Sequence, residues 1–251
     1  MGLDSDIEKI PDHLRTFKTP LFEFNREIID STADLVCAFK PQIAFYAADG
    51  LERDLELTIK YLHEQHPDIP VILDAKRGDI GSTAEMYARE VFDRYGADAV
   101  TVNPYLGGDS LEPFLNRTDK GVIILCRTSN PGATDIQDLE VQGEKLYRII
   151  SNKAAREWNR NGNVLLVVGA TYPQELGEIR SLVGNMPLLV PGIGAQGGDI
   201  EKAVINGKTA DGTGMIINSS RGIIYAGKGK DFAQAARAAA LQLKEEINRY
   251  R

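Results

Sequence analysis

Seven short apolar runs recur along the chain, separated by stretches long enough to form helices. The runs lack the polar alternation of half-exposed strands, so they are typical of parallel strands that are covered on both faces. They occupy residues 36–39, 71–73, 99–102, 122–125, 164–168, 188–190 and 215–217. A repeated strand-helix unit of this kind predicts an α/β fold with a parallel sheet.

Closing this repeat into a (β/α)8 TIM barrel requires an eighth strand, which we assign to Gly2-Leu3 at the start of the sequence. The length of 251 residues fits one such barrel, and no linker rich in Pro, Gly or Ser divides it. Residues 1–251 are therefore predicted to form a single domain.

Two of the predicted helices have clear sequence signals. Ser82 and Glu85 have the spacing of a capping box, and Gly96 is a typical helix stop. Between these signals, residues 88, 91, 92 and 95 place apolar side chains on one face. Residues 232–250 form an Ala-rich amphipathic stretch that predicts a final helix.

Composition and charge exclude several classes of function. The formal net charge of -7 argues against a general nucleic-acid surface, which needs a dense basic face. No apolar run is as long as a membrane span and the first residues do not resemble a signal peptide, so a cytoplasmic protein is expected. Cys37 and Cys126 lie in apolar runs without paired spacing and are predicted to be buried, reduced thiols. The three histidines form no zinc pattern, so no metal is expected.

The densest chemical signal is the segment Leu73-Asp74-Ala75-Lys76-Arg77-Gly78-Asp79-Ile80, in which an apolar strand ends in charged residues. Side chains two positions apart on a strand point the same way, so Asp74 and Lys76 should share a face. Charges at the C-terminal end of a barrel strand lie where barrel active sites are built. A surface salt-bridge cluster is the plainer alternative.

Two later loops have the character of anion sites. Pro191-Gly192-Ile193-Gly194-Ala195-Gln196 follows one strand, and Ser219-Ser220-Arg221-Gly222 follows the next. Glycines let backbone N–H groups approach a phosphate, and an arginine can bind two of its oxygens. The first loop also satisfies GxGxxG, but too little sequence follows it for a dinucleotide-binding domain. Ordinary tight turns and a solvated arginine are the structural alternative.

Other polar residues also follow predicted strands. Asp4 follows the first, Lys40 the second and Ser129 the fifth, so all three are expected at the same end of a barrel as Asp74 and Lys76. Singly, each would be read as an exposed polar residue or part of a turn.

Taken together, these motifs resemble the orotidine 5′-phosphate decarboxylase family. The segment from Asp74 to Ile80 looks like that family's DxKxxDI signature. Lys40, the Thr128-Ser129-Asn130-Pro131-Gly132 segment and the two glycine-containing loops occur in the family's order. The sequences around Asp74 and Asn130 particularly resemble those of the family's bacterial second subfamily.

The resemblance implies cofactor-independent decarboxylation of orotidine 5′-phosphate to uridine 5′-phosphate, the last step of UMP synthesis. Lys76 would protonate C6 within a charged network of Lys40, Asp74, Lys76 and Asp79. Substrate contacts are implied for Asp4, Ile80, Thr83, Ser129, Gln196, Arg221 and Gly222. The resemblance also implies a homodimer in which Asp79, Ile80 and Thr83 complete the neighbouring site, and residues 130–138 are expected to form a lid.

Two other functions fit parts of the same pattern. A keto-gulonate-phosphate decarboxylase of the same barrel group shares a DxKxxD element but depends on magnesium. Lys40 and the Thr-Ser-Asn-Pro-Gly segment favour the nucleotide over the sugar substrate. A barrel that binds a phosphate ligand without catalysis would show tight binding and no turnover.

Overall fold

Strands and helices alternate along the chain in the computed structural model, which describes residues 1–193 and 197–251. The strands are β1 (Gly2–Leu3), β2 (Lys40–Pro41), β3 (Ile72–Arg77), β4 (Ala99–Val102), β5 (Gly121–Arg127), β6 (Glu140–Val141), β7 (Glu144–Lys145), β8 (Val164–Val168), β9 (Leu188–Pro191) and β10 (Met215–Asn218). The helices are α1 (Pro20–Thr32), α2 (Ile43–Ala47), α3 (Glu52–Gln65), α4 (Gly81–Arg89), α5 (Gly108–Leu115), α6 (Thr134–Gln137), α7 (Leu146–Lys153), α8 (Pro173–Val183), α9 (Ile200–Gly207), α10 (Arg221–Ile224) and α11 (Phe232–Asn248).

The strand pairing confirms the predicted α/β class. A six-stranded sheet has the order β10-β9-β8-β5-β4-β3, and β1 pairs with β2 in parallel. The β10–β9, β9–β8 and β8–β5 ladders are parallel as well. Each assigned apolar run coincides with or overlaps a strand except the run at residues 36–39. There, a short 3-10 helix occupies Ala33–Leu35 and the extended chain first pairs at Phe39, so the strand itself begins only at Lys40.

The chain divides into two compact units. The first unit comprises Met1–Ala75, Arg89–Ala99 and Ser219–Glu246. Its core is aromatic and aliphatic, since Phe24 stacks on Phe232 with ring centroids 5.1 Å apart and Leu3 is fully buried. A buried polar network crosses this core, because Asn25 accepts from Ser5 at 2.6 Å and donates to the Tyr46 hydroxyl at 2.9 Å. Such satisfied polar groups fix one packing arrangement.

The second unit comprises Lys76–Ala88, Val100–Asn218 and Ile247–Arg251. Its core is formed by aliphatic strand residues, including Ile123, Leu166 and Leu188, none of which is exposed to solvent. The β5–β8 ladder shifts register between Leu125 and Arg127, which marks a β-bulge at the end of β5.

The two predicted helices are present, with different ends. Helix α4 begins at Gly81, so Ser82 lies inside its first turn and is not its N-cap, and the capping-box prediction is wrong. The residues at 88, 91, 92 and 95 are all buried, as the predicted apolar face requires. The last helix ends at Asn248, two residues before the predicted end. In the part of the chain that the structure describes, no helix is both long and apolar enough to cross a membrane.

The prediction that both cysteines are buried is wrong for Cys37, which is exposed and lies in a run that ends before the strand begins at Lys40. Cys126 is buried, and burial raises the pKa of its thiol. Because the thiolate is the reactive form, Cys126 should be inert in the native protein.

We expect a thiol reagent to label one cysteine of the folded chain and the second only after denaturation. Cys37→Ser should remove the native reaction, and two equally fast thiols would contradict this assignment.

Candidate active site

In the first unit, a lysine and two acids come together at the ends of strands. The Lys40 Nζ lies 2.9 Å from Asp74 Oδ2 and 3.8 Å from Asp4 Oδ1. The Lys40 side chain is 6% exposed and that of Asp74 is 11% exposed, so this is a nearly buried ion pair. The predicted convergence of Asp4, Lys40 and Asp74 is therefore present within this unit.

Strand pairing places these three side chains. Gly2 is in register with Lys40, and Gln42 forms a parallel bridge with Asp74. The chain at Asp4 is held by Tyr225, whose hydroxyl donates to the Asp4 carbonyl at 3.0 Å and accepts from the Asp6 N–H at 2.7 Å. Burial raises the pKa of Tyr225 to about 12, so this hydroxyl remains a donor at neutral pH.

One carboxylate oxygen in this cluster is unsatisfied. Asp4 Oδ1 is buried and has no hydrogen-bond partner among the described residues. Buried polar atoms in native proteins are nearly always hydrogen-bonded to protein or ordered water, and a catalytic or binding role is one explanation for an exception. The arrangement therefore suits a ligand that donates a hydroxyl hydrogen to Asp4.

Arg221 and Gly222 begin α10, in the same unit. Both are exposed to solvent. The loop before them is tied to β1, because Gly2 N–H donates to the Ser219 carbonyl at 2.8 Å and the Ser220 hydroxyl donates to the Gly2 carbonyl at 3.3 Å. The predicted anion loop is thus fixed beside the strand that leads to Asp4. Arg221, at the end of this loop, is accessible to solvent.

Lys76 belongs to the second unit and has an unusual backbone. Its φ is 47°, in the left-handed region that a non-glycine residue rarely adopts. Its N–H donates to the buried Thr101 hydroxyl at 2.9 Å, and its side chain is exposed. Backbone strain of this kind clusters at functional sites and costs about 1–3 kcal/mol. The prediction that Asp74 and Lys76 share a face assumes the regular alternation of side chains along an extended strand. A residue with this φ is not extended, so that assumption does not apply to Lys76.

Asp79, Ile80 and Thr83 lie where the chain turns into α4. The Asp79 carboxylate accepts from the Ile80 N–H at 2.8 Å, Ile80 is 59% exposed, and Thr83 is exposed. Gly78 makes this turn close-packed, since a Cβ there would lie 3.2 Å from both the Cβ and the carbonyl oxygen of Asn103. The turn therefore presents an apolar and a hydroxyl side chain to the surroundings.

Ser129 follows β5 in the second unit and is partly exposed. Gln196, the other predicted phosphate contact, lies outside the described residues. No group of three or more His, Cys, Asp and Glu side chains that would suit a metal ion occurs among residues 1–193 and 197–251. The sequence interpretation missed Arg127, which is 1% exposed at the end of β5. The sequence signal that could have identified Arg127 is its position, as a charged residue at the end of an apolar run and directly before Thr128-Ser129.

Comparison with known proteins gives one consistent family. The sequence model of the "Orotidine 5'-phosphate decarboxylase / HUMPS family" matches residues 14–239. The "Orotidine 5'-phosphate decarboxylase" of Azoarcus sp. (strain BH72) is 61% identical over 251 residues, which is 100% of this chain and 93% of the relative.

Solved structures agree with the sequence match. The structure of Leishmania donovani OMP decarboxylase has a TM-score of 0.84 at 40% identity, covering 99% of this chain and 91% of that one. Leishmania donovani UMP synthase has a TM-score of 0.86 at 42% identity, and the match covers 98% of this chain and 52% of that longer one. The resemblance read from the motifs is confirmed, and the chain belongs to the orotidine 5′-phosphate decarboxylase / HUMPS family of enzymes.

Proposed function

We propose that the chain decarboxylates orotidine 5′-phosphate to uridine 5′-phosphate without a cofactor, the last step of UMP synthesis. The full-length relatives at about 60% identity that carry this activity in their names support the reaction. The observation that carries the proposal is the Lys40 ammonium held between the Asp74 and Asp4 carboxylates. Asp4 Oδ1, which lies 3.8 Å from this ammonium, is buried without a hydrogen-bond partner among the described residues, so it is suited to accept a ligand hydroxyl.

Lys40, Asp74, Lys76 and Asp79 form the proposed catalytic network. Breaking the bond from C6 to the carboxylate releases carbon dioxide and leaves the electron pair on C6. Without an electron-sink cofactor, protein charges must stabilise this carbanion, and a fixed ammonium is suited to do so. The Lys76 ammonium then transfers a proton to C6, and the neutral amine regains a proton from water.

The remaining contacts are divided over the substrate. Asp4 and Lys40 bind ribose hydroxyls, which would give Asp4 Oδ1 a hydrogen-bond donor. Ser129 binds the pyrimidine edge, and Gln196, Arg221 and Gly222 bind the phosphate. The exposed guanidinium of Arg221 has the geometry to bind two phosphate oxygens.

The functional unit is proposed to be a homodimer. Asp79, Ile80 and Thr83 would complete the neighbouring subunit's site. The exposure of Ile80 is compatible with this role, because its side chain is accessible to a second subunit.

We further propose that the strands form one closed (β/α)8 barrel over residues 1–251. Two contacts support closure next to β1. The Gly2 N–H donates to the Ser219 carbonyl directly after β10, and Gly2 is in register with Lys40 on β2. Phe39 and Gln42, which flank β2, form parallel bridges to residues 71 and 74.

Ultraviolet-monitored decarboxylation of orotidine 5′-phosphate tests this function. The purified chain should convert the substrate fully in the presence of EDTA, and mass spectrometry should identify the product as uridine 5′-phosphate. A folded protein without turnover would contradict the proposal. Turnover that EDTA abolishes and magnesium restores would contradict the cofactor independence of the reaction, whereas the absence of turnover would favour the sugar-phosphate or binding-only alternatives.

A further inference from the structure

Arg127 is a buried charge whose role the proposed chemistry does not explain. It ends β5, at the bulge where the β5–β8 register shifts. A bulge redirects the side chain that follows it. The guanidinium is consequently enclosed by the protein, and only 1% of the side chain is exposed.

Two carboxylates from different elements hold this guanidinium. Its Nε donates to Glu175, in the first turn of α8, and its Nη2 lies 3.3 Å from both Glu175 Oε1 and Asp138 Oδ2. The Tyr172 ring lies against the guanidinium, 4.1 Å from Cζ to ring centroid. Burial alone would lower the pKa of Arg127, but the Glu175 hydrogen bond and charge outweigh burial and raise that pKa, so the charge persists.

Asp138 belongs to the chain that connects β5 to α7, residues 128–145, which we call the β5–α7 segment. Its other carboxylate oxygen lies 3.4 Å from Lys145 Nζ, at the far end of the same segment. Gln137 accepts from the Thr128 N–H at 2.9 Å and donates to the Thr128 hydroxyl at 2.8 Å. The segment is therefore cross-linked near its middle to both of its ends.

The segment is folded throughout the part that follows Asp138. Strands β6 and β7 form an antiparallel hairpin, and Gln142 and Gly143 both have positive φ, as a tight two-residue hairpin turn requires. The Leu146 N–H donates to the Leu139 carbonyl at 2.9 Å. Asp138 thus connects Arg127 to a hairpin that is held together by its own hydrogen bonds.

Ser129 is held from the opposite side by the end of β8. A Cβ on Gly169 would lie 2.9 Å from the Ser129 Cβ and backbone nitrogen, closer than real Cβ atoms approach. The Gly169 N–H donates to the Arg127 carbonyl at 2.8 Å, and the Thr171 hydroxyl donates to the Ser129 carbonyl at 3.4 Å. Ser129 therefore has little freedom to move toward β8, and its position otherwise depends on the rest of the β5–α7 segment, to which it belongs.

We propose that Arg127 is a positioning residue that clamps the β5–α7 segment to α8 through Asp138 and Glu175, and so sets the position at which Ser129 meets the substrate ring. This inference rests on the proposed decarboxylation for the identity of that ring. The clamp formed by Arg127, Asp138 and Glu175 does not depend on the proposed reaction.

Kinetics of Arg127→Met, Asp138→Asn and Ser129→Ala test the inference. A misplacement of about 1 Å at a reacting site costs about 100-fold in rate, so kcat/KM of Arg127→Met should fall by that order. Inhibition by ribose 5-phosphate, which lacks the ring, should stay within about twofold of the parent if only the ring contact is lost. Because Arg127 acts through Ser129, the double variant Arg127→Met/Ser129→Ala should be little slower than Ser129→Ala alone.

Arg180 offers a matched control, since it is an arginine on α8, the helix that carries Glu175. Its partly buried guanidinium donates to the Gly207 and Gly214 carbonyls at 2.8 Å, and its other hydrogen bonds among the described residues go to the Gly184 and Met186 carbonyls, outside the β5–α7 segment. Arg180→Lys should lower thermal stability while leaving kcat/KM within about twofold, since it removes fold contacts only. Hydrogen exchange of the peptide 128–145 should accelerate in Arg127→Met and Asp138→Asn and not in Arg180→Lys.

The outcomes separate the two proposals. A parent chain that turns over orotidine 5′-phosphate, combined with additive losses in the double variant, would overturn the action through Ser129. Unchanged exchange of the 128–145 peptide in Arg127→Met would overturn the clamp, whether or not the parent turns over. A parent without turnover but with accelerated exchange in the variant would leave the clamp standing and refute the decarboxylase function.

Discussion

Lys76→Ala is expected to abolish decarboxylation and to retain nucleotide binding. Loss of a general acid costs about 100- to 10,000-fold, and loss of a charge that stabilises the transition state costs about 100- to 1,000-fold more. Turnover of orotidine 5′-phosphate should therefore fall by at least about 10,000-fold. Calorimetric titration with uridine 5′-phosphate should give a dissociation constant within about tenfold of the parent, because the phosphate and ribose contacts remain.

Lys153→Ala is the matched control, since Lys153 is an exposed lysine of the second unit that forms a local ion pair with Glu157, four positions along the chain. It should turn over like the parent. Turnover of Lys76→Ala within tenfold of the parent would refute the proton-donor role. An equal loss of nucleotide binding would assign Lys76 to binding.

The backbone at Lys76 adds a second readout. At a φ of 47°, a side chain with a Cβ is disfavoured, and glycine is not. Lys76→Gly should consequently be more stable than Lys76→Ala by about 1 kcal/mol, while both lack activity. A native lysine kept at a position that favours glycine is what a function that outweighs stability would produce.

Much of the fold was predictable, because a strand covered on both faces has a visible apolar signature. The runs at 99–102 and 164–168 match β4 and β8 residue for residue. The grouping of Asp4, Lys40 and Asp74 was predictable for a related reason, since parallel strands end at the same edge and each residue closes or follows a strand.

Other features depend on single residues and leave no periodic signal. The left-handed φ of Lys76 is set by packing and by the Thr101 hydrogen bond, neither of which the residue type predicts. Arg127 reads as an exposed strand-end charge, because its two carboxylate partners are 11 and 48 positions away. Cys37 shares an apolar run with Phe39 but not its burial, since the strand starts only after that run.

The Lys40–Asp74 pair should be strongly coupled in a double-mutant cycle of Lys40→Met, Asp74→Asn and the double variant. Breaking a buried ion pair by removing one partner costs about 3–5 kcal/mol, because the remaining charge stays in a poorly solvated place. Lys40→Met should therefore lower the free energy of unfolding at pH 7 by about 3–5 kcal/mol. The double variant should be less destabilised than the sum of the single variants by about 1–3 kcal/mol. Decarboxylation by Lys40→Met should fall by at least about 100-fold, since the network loses one of its positive charges.

The chain contains a suitable control in the same unit. Arg237 and Asp34 approach to 2.6 Å, closer than Lys40 and Asp74, but their side chains are 45% and 61% exposed. Water and salt screen such a pair even though it is bidentate, so the cycle of Arg237→Met and Asp34→Asn should show weaker coupling than the Lys40–Asp74 cycle and leave turnover unchanged. If both cycles give the same coupling, burial does not distinguish the Lys40–Asp74 pair. The cluster would then be an ordinary surface ion pair, and the charged network would lose the observation on which it rests.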